Sequence, residues 1–264
     1  MLEADPAKLG RLRRALEVTG TLSNKPHIAL LPGLDGTGEL FSPIIPFLET
    51  HFETHVVTYT NELSFDEYVE SAAKQLPTNC IVSLVAESFS GPIAISLLAR
   101  KDIKFNASVL SATFCKSPLP LLSQMSRFLP EIVFTSNPVS KVVLDLLVTG
   151  GDASIEVRNK AKELLEAVSP SQFQKRVGIV NEVDVTNELK DIEVPLLYIQ
   201  ATKDKIVLKE SGKEIMKHAH DIRIERVEGS HMILQTQPEK CAELIKRHVI
   251  SNNRMQSDAR TARR

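Results

Sequence analysis

The sequence predicts an α/β fold with a mostly parallel central sheet flanked by helices, and three observations carry that reading. Apolar runs of strand length alternate with helical patterns of about ten to fifteen residues, as βαβ units require. One such run, Ile81 to Ala86, passes straight into Glu87-Ser88-Phe89-Ser90-Gly91. A new apolar segment from Pro92 to Leu98 follows, so the order is strand, abrupt turn, helix. Finally, 264 residues of which 42% are apolar and 25% charged can bury one large core.

Residues 1–25 form a polar N-terminal extension with a helical tint, Leu9, Leu12 and Leu16 recurring at helical spacing. The α/β domain spans 26–250. His27 to Leu31 reads as a buried strand ending at Pro32-Gly33, and Thr37 to Phe47 has a helical pattern. A second strand is expected at His55 to Tyr59. Ser64, with Glu67 three residues on, opens a helix running to about Leu76. Cys80 to Ala86 is the next strand, Gly91 to Arg100 the helix behind the turn, and Ala107 to Thr113 a fourth strand. Alternation resumes at Val194 to Gln200 and Ile222 to Val227, and a helix from Pro238 to about Val249 closes the domain. Residues 116–190 break the rhythm with helical stretches at Leu119 to Leu129, Pro138 to Val148 and Ile155 to Val168. So long a crossover without a strand reads as a helical cap inserted over the strand ends, the alternative being a few ordinary surface helices. The tail, 251–264, has almost no apolar residues and several arginines, and is read as disordered.

A net charge of −1 provides no general electrostatic ground for binding nucleic acid or an anionic membrane. Cys80, Cys115 and Cys241 are odd in number and widely spaced, which fits neither a disulfide framework nor a metal cluster. The N-terminus lacks the apolar core of a signal peptide. No stretch approaches the ~18 to 20 apolar residues of a membrane span, so the expected location is cytoplasmic.

Ser88 stands where a nucleophile elbow would lift its Oγ clear of the sheet. The small residues Ala86 and Ser90 at −2 and +2 leave that turn room. Acyl transfer by a serine also needs a base, a carboxylate to orient the base, and N–H groups for the oxyanion. His231, in Glu228-Gly229-Ser230-His231, follows a late strand in a loop of small residues, unlike the other six histidines. Asp204 follows the strand Tyr198 to Gln200 and points to the carboxylate, its other reading being a loop-capping aspartate. Leu31-Pro32-Gly33-Leu34-Asp35-Gly36-Thr37-Gly38 lacks the Gly-Lys-Ser/Thr ending of a phosphate loop. At that first strand–helix junction the N–H of Leu34 would face the elbow, and the N–H of Phe89 would supply the second oxyanion donor.

On these motifs the chain resembles the α/β-hydrolase superfamily from His27 to Val249. More narrowly it is similar to bacterial serine hydrolases loosely related to phytyl-ester-synthase-type esterase domains. Ser88, Asp204, His231 is the chain order in which that fold supplies its three groups. The departures are Pro32, where many relatives carry histidine, and Ala86 and Ser90 in place of the elbow glycines. There is also little room for an antiparallel hairpin before the first parallel strand. The reading is a serine hydrolase that cleaves a carboxylic ester or thioester through an acyl-enzyme, with a small acyl substrate and no metal or organic cofactor. An acyltransferase with the same groups, or a non-catalytic binding protein on this scaffold, is the alternative. Oligomeric state is not legible in the chain.

Overall fold

The computed structural model describes residues 25–78, 80–118 and 153–261, with side chains as far as Asn253. Six strands form its sheet: β1 (His27–Leu31), β2 (Glu53–Val56), β3 (Val82–Glu87), β4 (Phe105–Ser111), β5 (Leu196–Ala201) and β6 (Ile222–Val227). They lie in the order β2-β1-β3-β4-β5-β6, and every pairing is parallel. Residues of β3, β4 and β5 are buried at each position, which explains why these strands read as continuous runs and not as alternations. The edge strand β6 is more open, with Arg223 and Arg226 exposed and only Val227 fully buried.

Successive strand residues feed two apolar layers. Ala29, Leu84, Leu110 and Tyr198 pack with helices α2 (Phe65–Gln75) and α3 (Ser90–Ala99) on one face. Ile28, Val85, Val109 and Ile199 pack on the other with α1 (Ile45–Glu49) and the long C-terminal helix. Ser64 and Glu67 cap α2 reciprocally, as their spacing predicts.

Three elements differ from the sequence reading, each for a physical reason. The helix expected over Thr37 to Phe47 is split into a 3₁₀ turn, Glu39–Phe41, and α1, because Pro43 and Pro46 cannot donate to a continuous ladder. Strand β2 starts two residues before His55. Beyond it the Val57 N–H still donates to Leu30 of β1 at 2.9 Å, and the Tyr59 N–H donates to Gly36 in the loop after β1 at 2.7 Å. The last helix runs from Pro238 to Thr261, so 251–261 is helical where a disordered tail is expected. No glycine or proline follows Val249 to stop it.

Between β4 and β5 lie α4 (Ile155–Ala167) and α5 (Pro170–Glu182), capped by Ser154 and Ser169. The helices expected at Leu119 to Leu129 and Pro138 to Val148, and the N-terminal extension through residue 24, fall outside the described residues. Helix α6 (Lys209–His218) joins β5 to β6, and a short α7 (Ile233–Thr236) precedes α8 (Pro238–Thr261). Among the described residues no helix is long and apolar enough to cross a membrane.

Candidate functional site

Ser88 follows β3 directly and has φ 48°, a left-handed conformation that a serine adopts only when its surroundings hold it there. Three neighbours do so. The Ser88 carbonyl accepts from the Gly91 N–H at 3.0 Å and from the Thr113 hydroxyl, while the Ser88 N–H donates to Ser111 at 3.0 Å. Gly91, at +3, is where the turn makes its tightest approach: a Cβ there would stand 1.8 Å from Thr113 Oγ1. Ser90 at +2 is fully buried, with its Oγ donating to the Pro32 carbonyl and accepting from Tyr59 OH at 3.1 Å. It therefore braces the elbow against the β1 loop, and its hydroxyl has no freedom to act elsewhere.

The loops after β5 and β6 deliver the other two groups. His231 Nε2 lies 2.8 Å from Ser88 Oγ, and His231 Nδ1 lies 2.8 Å from Asp204 Oδ2. The second Asp204 oxygen accepts from the Ile206 and Val207 N–H groups at 2.8 and 2.9 Å. One Asp204 oxygen thus caps its own loop while the other meets the imidazole, which fixes the plane of the carboxylate. The loops are tied to each other by Thr202 N–H to Val227 (3.0 Å) and Lys203 N–H to Gly229 (2.9 Å).

Burial is the largest single influence on His231 and disfavours its charged form. Attraction to Asp204, the hydrogen bond between them and the nearby Glu87 outweigh it, and the pKa ends above 6.5. Glu87, 5% exposed at the end of β3, is pushed up from 4.5 to about 7, mainly by burial. Gln235 Nε2 donates to it at 3.1 Å.

Leu34 belongs to the loop after β1, and Phe89 follows Ser88 directly in the chain. A Cβ on Gly33 would stand 3.9 Å from Ser88 Cβ, so the β1 loop runs against the serine. In a trans peptide the C=O and the following N–H point in opposite directions. The Gly33 carbonyl is held by Gly36 N–H at 3.1 Å, which aims the Leu34 N–H away from that turn. The Ser88 carbonyl, held by Gly91 and Thr113, fixes the Phe89 N–H in the same way. Among the described residues no group of three or more His, Cys, Asp or Glu is placed to hold a metal ion.

Residues 63–237, well over half of the chain, match the model of the hydrolase family described as serine aminopeptidase S33. The chain belongs to that family. It is an α/β-hydrolase, and its fold is that of many solved members. An esterase from Exiguobacterium antarcticum superposes with a TM-score of 0.75 at 16% identity, over 86% of this chain and 93% of that one. An enol-lactonase from Burkholderia xenovorans LB400 gives 0.71 at 16% identity, over 84% and 90%. A hydrolase from Oleispira antarctica gives 0.71 at 16%, over 85% and 92%. No curated protein matches the chain by sequence.

Around this candidate site the sequence reading missed Thr113, Tyr59, Glu87 and Arg176, which hold or adjoin its loops. Glu87 adjoins the elbow serine and could have been singled out by that position alone. The others reach the site from distant segments, with no local motif to mark them.

Proposed function

We propose that this α/β-hydrolase is a serine hydrolase that cleaves a carboxylic ester or thioester through a covalent acyl-enzyme. The observation that carries the proposal is the continuous relay from Asp204 through His231 to Ser88, with both contacts at 2.8 Å. Asp204 holds His231 in the tautomer with its proton on Nδ1, leaving Nε2 free to take the Ser88 proton. The Ser88 Oγ then bonds to the acyl carbon, and the carbonyl oxygen becomes an oxyanion facing the N–H groups of Leu34 and Phe89. Collapse breaks the bond to the alcohol or thiol, which departs with the proton from His231. A water molecule, deprotonated by the same nitrogen, attacks the acyl-enzyme, and collapse of that second intermediate returns the proton to Ser88 and releases the acid.

The inserted segment between β4 and β5 is proposed as the cap that selects the acyl group. Its described part supports this by position: Lys160 of α4 pairs with Glu39 at 2.7 Å, just beyond the glycine-rich loop, and Gln172 of α5 donates to Thr60 at 2.8 Å. The rest of the segment, 119–152, lies outside the described residues.

Labelling by a fluorophosphonate probe, with loss of the label in Ser88→Ala, tests the nucleophile. A panel of p-nitrophenyl esters of increasing length, with an aminoacyl p-nitroanilide for the activity in the family's name, tests the substrate class. Product analysis with added alcohol separates hydrolysis from acyl transfer. Failure of the wild-type protein to label, or labelling that survives in Ser88→Ala, overturns the proposal.

A further inference from the structure

Arg176 is 1% exposed, an unusual state for an arginine, and it sits on α5 within the insertion between β4 and β5. Its hydrogen bonds among the described residues go to neutral acceptors. Nη1 donates to the carbonyls of Leu34 at 2.7 Å and Asp35 at 2.9 Å, Nη2 to the carbonyl of Tyr59 at 2.8 Å, and Nε to Tyr68 OH at 3.0 Å. The Tyr68 ring lies under the guanidinium, 5.9 Å from Cζ. Gly36 makes room for it. A Cβ at Gly36 would stand 2.7 Å from Nη1, and its φ of 72° already favours glycine.

A buried cation is costly unless each donor is satisfied, and a rigid planar fork is the side chain that can bind several carbonyls at once. The carbonyls it binds are informative. Leu34 and Asp35 contribute the two peptide units that follow the one presenting the Leu34 N–H. That preceding unit is pinned on its other side by the bond from Gly36 N–H to the Gly33 carbonyl. Arg176 thus closes a clamp on the strip of backbone that faces Ser88. It also anchors the strip to Tyr59, whose hydroxyl holds Ser90 of the elbow.

We propose that Arg176 is a positioning residue for oxyanion stabilisation, through which the inserted segment sets the direction of the Leu34 N–H. This rests on the serine-hydrolase reading above. Through the clamp, correct seating of α5 and a competent oxyanion site become one condition. Without Arg176 the Leu34 peptide gains orientations in which its N–H no longer meets the developing charge, although substrate still enters.

The test compares Arg176→Lys, Arg176→Ala and Tyr68→Phe with Ser88→Ala, using the fastest p-nitrophenyl ester of the panel and an alkylboronic acid of matching length. Arg176→Lys keeps the charge and loses the fork, and is expected to lower kcat by ~10²-fold, the scale of one lost oxyanion donor. KM and inhibition by the free carboxylate product should stay within about threefold, because ground-state binding does not use the oxyanion donors. Affinity for the boronic acid, which is tetrahedral when bound to the serine, should fall in parallel with kcat/KM. Guanidinium ion at tens of millimolar should restore part of the activity of Arg176→Ala and none of Ser88→Ala. Tyr68→Phe removes one bond of the four and keeps the fold within reach, so it should lower kcat by a few-fold at unchanged KM.

If Arg176→Lys melts lower yet retains kcat within threefold, Arg176 only holds the insertion in place and the inference is overturned. Should the Arg176 variants fail to fold, unchanged kcat in Tyr68→Phe overturns it equally. Full activity in Ser88→Ala would instead remove the serine reading and this inference with it.

Discussion

The two halves of the site are held by different kinds of contact. On the proton-transfer side, Asp204 and His231 sit in loops that follow neighbouring strands, and backbone bonds from one loop to the other align them. On the side proposed for oxyanion stabilisation, the local turns at Gly36 and Gly91 are reinforced by side chains far away in the chain: Arg176 on the Leu34 and Asp35 carbonyls, Ser90 on Pro32, Thr113 on Ser88. The first half is set by sheet topology, so any chain that folds this sheet brings its loops together. The second half depends on tertiary packing, including packing by the insertion. Damage to the first should therefore destroy chemistry, and damage to the second should grade it.

The largest expected effect tests the first half. Ser88→Ala should leave no more than a few per cent of activity in a folded protein. His231→Ala and Asp204→Asn should each cost on the scale of ~10⁴ in kcat. Their losses should not add to that of Ser88→Ala, because the three groups act as a unit. Steady-state kinetics of the singles and doubles decide it. A loss of only tenfold in Asp204→Asn would mean that His231 is oriented by something other than this carboxylate.

The same division explains what could be read from the chain. The meeting of Ser88, His231 and Asp204, the groups proposed for catalysis, was legible because each follows a strand end, and strand ends are marked by apolar runs breaking into small or polar residues. Leu34, the proposed oxyanion donor, could be singled out for the same reason, its place in the loop after β1. The buried role of the Ser90 hydroxyl is not legible locally, since nothing in the sequence around it shows that it faces Pro32. Arg176 was invisible. In Pro170–Glu182 it stands beside Lys175 and among glutamines, where an inward-facing arginine looks like any solvated one. Even the capping pair Ser169 and Gln172 marks the helix and not its buried face. The broken helix at 37–47 is a simpler miss, because Pro43 and Pro46 were in plain view and outvoted by an apolar pattern.

Glu87 lies where the halves meet: a Cβ on Gly33 would be 3.9 Å from its Oε2 and 3.7 Å from Asp35 Oδ1. For an acid whose folded pKa is raised from 4.5 to about 7, the stabilising proton is fully present below 4.5 and lost as pH rises through 7. The folded protein thus carries the cost of a buried carboxylate above neutrality. Glu87→Gln should relieve it, raising stability at pH 8 by on the order of 2 kcal/mol and changing it little at pH 4.5. Denaturant melts at the two pH values measure this. Equal effects at both would show that the carboxylate is not strained by burial.

Ser90→Ala sharpens the comparison from the other side. It strips a donor from the Pro32 carbonyl and an acceptor from Tyr59 OH, both in the oxyanion half, and should cost about 1 to 2 kcal/mol of stability. The elbow serine keeps its histidine, so fluorophosphonate should still label Ser88, with kcat lowered by a few-fold. A folded Ser90→Ala that neither labels nor turns over would transfer the nucleophile's role from Ser88 to Ser90.

The smallest expected effect is a displacement of the pH profile. The proposed mechanism requires neutral His231, so kcat/KM should rise with pH as that imidazole loses its proton. Burial alone would put this step below 6.5, which would leave the enzyme active in mild acid. Asp204 and Glu87 both favour the imidazolium and carry the step above 6.5, so the acid limb should lie on the alkaline side of an ordinary histidine. Glu87 titrates close by, and its charge grows as His231 loses its own, which should broaden the limb. Glu87→Gln removes that partner while retaining Asp204. Its limb should therefore be sharper and move to lower pH, with the plateau rate nearly unchanged, since the mutation touches neither the nucleophile nor the oxyanion donors. A limb that stays in place in Glu87→Gln would mean that Glu87 is screened from His231. The coupling between the two halves of the site would then run through the backbone of the β1 loop and not through charge.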